Sequence, residues 1–149
     1  MIIYEKIEPK VKNDILSNYN YKEKAIKKYY SNLKLIKSET KVKLGYCYNY
    51  VFNDYSNLHI FSKDIYDYLT DHYRHINLEK IKKGDVVTIH NDIDPNECNV
   101  KHYAKIIKTD NTIRGTTIRS KWGIFGIWQG NIEDIPDIYG NYILFWRKK

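Results

Sequence analysis

The sequence predicts an α+β fold in a single domain spanning residues 1–149. Three observations predict it. Apolar residues near the N-terminus recur at three- and four-residue steps, the chain from Gly84 onward falls into short β-branched runs, and turn residues separate those runs. Helices followed by an antiparallel meander give segregated α and β layers rather than alternating βα units. At 149 residues the chain is long enough to bury a core without disulfide staples.

Taken in order, residues 1–40 read as a helical N-terminal extension. Ile15, Ala25, Ile26, Tyr29, Tyr30, Leu33 and Ile36 form its apolar stripe, while Lys22, Lys24, Lys27 and Lys28 make a solvated face. Gly45 breaks the chain, and a short buried helix then starts at Cys47, with Tyr50, Val51 and Tyr55 inward. A second helix is predicted over 62–74, with Ser62 as its N-cap and Ile65, Tyr66, Leu69 and Tyr73 on its buried face. After Gly84-Asp85 come strands at 86–90, 102–108, 112–119 and 141–147. Between the last two, Ser120 to Gly130 reads as an aromatic, glycine-rich corner.

Composition narrows the function. The longest apolar runs, such as Ile143 to Trp146, are far too short for a transmembrane helix. The N-terminus lacks the basic and apolar segments of a secretory signal, so the expected location is cytoplasmic as made, with release or nonclassical export as the route out. Net charge is +7, but it comes from 21 Lys and only 4 Arg, alongside 22 Ile, 15 Tyr and 14 Asn. A/T-rich codons supply that bias whatever the function, and base readers favour Arg forks, so nucleic acid is not the favoured partner. The two cysteines, Cys47 and Cys98, cannot build a disulfide framework. His72 and His75 have no CxxC or HExxH around them, and no glycine run fits a nucleotide fingerprint. The expectation is therefore no metal and no cofactor.

Cys47 is the most informative residue. A cysteine opening a helix meets unpaired backbone N–H groups and the positive end of the dipole, both of which favour thiolate. A thiol nucleophile needs a base, and of five histidines His102 is best framed, held at the start of a strand. His90 ends the preceding strand and is the weaker candidate. Cys98 sits beside Glu97, which disfavours its thiolate.

Cys47 at a helix start, Lys83-Gly84-Asp85-Val86-Val87 and His102 opening a strand together resemble the NlpC-type papain-like cysteine peptidases and amidases. Ile118 to Gly123, with Asp134-Ile135-Pro136 and Tyr139-Gly140 downstream, is similar to a subset of that superfamily marked by an SKWG stretch. The resemblance covers about residues 44–149. It implies N-terminal helices packed on a small antiparallel sheet, with residues 41–149 as a papain-like core. It also implies hydrolysis or transfer at an amide or thioester: Cys47 attacks, His102 moves the proton, and Ser120 or Gln129 orients the imidazole. Gln129 stands where that subset often has a histidine. Lys121, Trp122, Trp128 and Gln129 are the expected substrate-side groups, and the substrate is a peptide, a protein or another acyl compound. The rival expectation is a noncatalytic, basic SH3-like barrel that binds nucleic acid or an acidic protein through charge and stacking.

Overall fold

In the computed structural model of the chain, which describes residues 4–7, 26–27, 30, 32–37, 47–52, 62–93, 100–122, 126–135 and 140–149, one antiparallel sheet organises everything else. Its eight strands are β1 (Glu5–Lys6), β2 (Lys34–Lys37), β3 (Tyr73–Ile76), β4 (Val86–His90), β5 (Val100–Lys108), β6 (Thr117–Lys121), β7 (Ile127–Asn131) and β8 (Tyr142–Lys148). Strand order is β1-β8-β4-β5-β6-β7-β2, with β3 also pairing β8. The described helices are α1 (Cys47–Phe52) and α2 (Ser62–His72).

This corrects the expected fold class. The protein is mostly antiparallel β, with two short helices among the described residues, and is not an α+β papain-like domain with N-terminal helices. Two described pieces of the N-terminal segment are strands: β1 pairs with β8, and β2 with β7. Around β2 the two-residue alternation of Leu33 and Leu35 outweighs the helical spacing. Leu33 is buried and Leu35 packs on the core in register with Trp128, whereas Ile36 stays exposed. Ile15, Ala25, Tyr29, the lysines at 22, 24 and 28, Gly45, Tyr55 and Cys98 lie outside the described residues, as do Gly123, Pro136 and Tyr139.

All five residues of β4 are buried, because both faces of this central strand are covered. On one face Val87 and Ile89 join Ala104, Ile106, Ile118, Trp122, Trp128, Ile132, Ile143 and Phe145. On the other, Val86 joins Tyr103, Leu144 and Trp146 beneath Tyr48 and Val51 of α1 and Ile65 and Leu69 of α2. A strand dry on both sides reads as a continuous β-branched run, which is why it was legible.

Gly84-Asp85 has a structural account. Gly84 adopts φ +92°, a conformation glycine takes without penalty. The buried Asp85 accepts the N–H of Lys82 at 2.8 Å and the Arg147 fork at 2.8 Å (Nε) and 2.7 Å (Nη2). That bidentate pair ties the start of β4 to the end of β8.

Candidate thiol site

Strand alternation decides which side chains can meet here. On β5, Tyr103 joins the cluster under α1, while Ala104 and Ile106 belong to the opposite face. His102 is in register with Ile89 and so shares that opposite face. On β6, Ile118 lies on the His102 face, and so does Ser120, two residues on. Arg119 and Lys121 fall on the α1 face.

α1 lays Tyr48 and Val51 onto the sheet and thereby presents its first residue, Cys47, to β5 and β6. Main-chain N–H groups of Tyr103, Tyr48 and Cys47 itself point at the sulfur. Lys121 is close enough that each group feels the other's charge, and its side chain belongs to a nearly fully buried residue. Burial dominates: it pushes the Cys47 thiol up to about 11, against the pull of those N–H groups and of Lys121. Burial also lowers Lys121, and the Cys47 charge opposes that. The thiol is therefore protonated at neutral pH. Tyr103 adds a buried hydroxyl with no hydrogen-bond partner among the described residues. Burial first, then the neighbouring Cys47, raises that hydroxyl well above the usual phenol range.

His102 is 1% exposed, and burial lowers it to about 3, so its imidazole is neutral at pH 7. It precedes Tyr103, whose main-chain N–H meets the Cys47 sulfur, by one position in the chain, yet the imidazole and the thiol start from opposite faces of β5. The expected orienting groups divide likewise. Ser120 is buried on the His102 side and accepts the indole N–H of Trp122 at 3.2 Å. Gln129 is on the α1 side, where its Oε1 accepts from Arg119 Nε at 3.0 Å and Nη2 at 2.6 Å. Of the expected substrate-side groups, Trp122 and Trp128 are each 1% exposed and pack with ring centroids 5.9 Å apart and planes tilted by 36°, a place in the core rather than on an open wall. Lys121 is the one that reaches Cys47.

Three residues escaped sequence reasoning: Tyr103, Lys105 and Arg119. Their signal was parity, since a helix resting on Tyr103 must also face Lys105 two residues on. The sheet aligns Lys34, Gln129, Arg119 and Lys105 in direct register across β2, β7, β6 and β5. Lys105 Nζ lies 6.0 Å from the centre of the Tyr50 ring, and Arg119 also hydrogen-bonds the Tyr50 hydroxyl. Among the described residues neither Lys105 nor Arg119 has a carboxylate partner. Cys47 thus opens a helix whose next turn is flanked by cations.

Among the described residues no group of three or more His, Cys, Asp or Glu is placed to hold a metal ion, and no helix is long and apolar enough to cross a membrane. Comparison of the chain with protein-family models, curated proteins and solved structures gave no significant match.

Proposed function

We propose that the protein carries out cysteine-dependent acyl chemistry, as a hydrolase or acyltransferase acting on an amide or thioester, with Cys47 as nucleophile. One observation carries the reading: the Cys47 sulfur, beneath α1, meets three main-chain N–H groups and the Lys121 side chain, with the unpartnered Tyr103 hydroxyl near enough to feel its charge. Such a set holds negative charge, first on sulfur and then on the oxygen of a tetrahedral adduct.

In this scheme the thiol loses its proton to the neutral form of Lys121, and the sulfur adds to the substrate carbonyl carbon. The Tyr103 hydroxyl and the N–H groups at the start of α1 donate to the developing oxyanion. Lys121 returns the proton to the departing amine or thiol as the C–N or C–S bond breaks, leaving an acyl-Cys47 thioester. Water releases the acid, whereas an amine acceptor makes the reaction a transfer. His102, on the opposite face of β5, takes no part in this scheme, and its variant tests that. The Lys105 and Arg119 row favours substrates with a carboxylate near the scissile bond.

The test is a panel of activated acyl probes, both neutral and acidic, read by intact mass and peptide mapping. The expected result is one adduct on Cys47, absent in Cys47→Ser and strongest with acidic probes. Absence of any Cys47 adduct, together with salt-sensitive polyanion binding through Lys105 and Arg119, would replace this reading with the noncatalytic binding module.

A further inference from the structure

A second cationic feature lies away from Cys47, on the edge formed by β3 and β8. Arg74 and Arg147 stand in direct register across this pair. Like charges directly opposite one another destabilise a sheet unless something neutralises them. Arg147 is neutralised: its Nε and Nη2 engage Asp85, and Nη2 also donates to the Lys80 carbonyl at 2.8 Å. Arg74 is not, since it is exposed and makes no ion pair among the described residues. The Lys80 side chain likewise has no carboxylate partner among them.

These cations frame a cleft of about 410 Å³ lined by Arg74, His75, Ile76, Asn77, Lys80 and Arg147. His75 is in register with Trp146 and packs edge-on against it, so its ring lies on the opposite face of β3 from Arg74 and Arg147 and only its place on the strand borders the cleft. Arg74, Lys80 and Arg147 set against Asp85 leave two positive charges uncompensated. A phosphomonoester carries about −1.5 to −2 at neutral pH and three acceptor oxygens, so its charge and valence match.

We infer that the β3–β8 cleft is a binding site for a phosphomonoester group. Arg74 and Lys80 supply the charge, Arg147 is held in place by Asp85, and Asn77 supplies a neutral polar contact. This site is independent of Cys47, so either can fail without the other.

Titration with inorganic phosphate and with phosphoserine, followed by calorimetry and by the guanidinium Nε–H NMR signal of Arg74, tests the inference. The expected result is saturable binding that moves the Arg74 signal. Arg74→Gln and Lys80→Gln should each weaken it about tenfold, the order expected for losing one charge-assisted contact. Arg114→Gln, an exposed arginine paired at 3.9 Å with Glu133, should bind like wild type. Far-UV circular dichroism and the thermal midpoint establish that each variant is folded. No saturable binding up to tens of millimolar phosphate would overturn the inference. So would equal weakening by Arg114→Gln, or tighter binding of an oligonucleotide lacking terminal phosphates that is indifferent to Arg74→Gln.

Discussion

Mild acid should destabilise this protein through two buried histidines. His90 and His102 are 0% and 1% exposed, and burial lowers them from 6.5 to about 4 and about 3. His90 is also locked by hydrogen bonds. The Trp146 indole donates to Thr88 Oγ1 at 2.9 Å, and the same hydroxyl shares a 2.7 Å hydrogen bond with His90 Nε2 whose direction follows the imidazole tautomer. Folded-state pKa values below the unfolded value mean that the unfolded chain binds more protons. The stability they contribute is complete above pH 6.5 and is lost as pH falls towards 4 and 3. Going from about pH 7.5 to about pH 5, still above most carboxylate titration, each histidine costs about 2 kcal/mol, or about 4 kcal/mol together. With a urea m-value of about 2 kcal/mol per molar, the unfolding midpoint should fall by about 2 M. His90→Gln removes one titrating group and should halve that fall, whatever it does to absolute stability. Unfolding followed by tryptophan fluorescence at the two pH values measures both. A fall under about 0.5 M, or an unchanged fall in His90→Gln, would refute the reasoning.

Asp85→Asn leaves the Arg147 fork without its carboxylate and should cost about 3 kcal/mol in chemical denaturation, the scale of breaking a buried ion pair. A loss under 1 kcal/mol would show that the β4–β8 tie contributes little. Gly140 sits at φ +103°, and a methyl group there would drive into the His90 carbonyl, so Gly140→Ala should cost about 2 kcal/mol or more. Its thermal midpoint should drop by several degrees, whereas a wild-type midpoint would show that this turn relaxes freely.

How much of this was legible depended on which forces act locally. β4 was readable because a strand dry on both faces is a run of β-branched residues, and its observed span, Val86–His90, matches the expectation. The helix beginning at Ser62 was readable from its periodicity, with Ile65 and Leu69 fully buried. Tyr73, expected to extend that helix, instead opens β3, because pairing with Lys148 to Phe145 satisfies its backbone. β7 was hidden inside an apparent loop, since Gly130 and Gln129 weaken its pattern. The strand is held by its partners β6 and β2 rather than by its own propensity. The prominence of Cys47 could be read from its neighbours, but what surrounds the thiol could not. Which face of β5 receives α1 is a tertiary choice, and it brings Lys121 and Tyr103 to the sulfur while turning His102 away.

The most direct test of that arrangement is the pH dependence of Cys47 alkylation by limiting iodoacetamide, read by peptide mass spectrometry. A thiol held at about 11 beside Lys121 should react about tenfold faster for each pH unit from 6 to 9, without a plateau. Lys121→Gln should slow it further, and His102→Gln should leave the profile in place. A rate already level between pH 6 and 8 that collapses in His102→Gln would mean a thiolate–imidazolium pair, and would contradict the site described above.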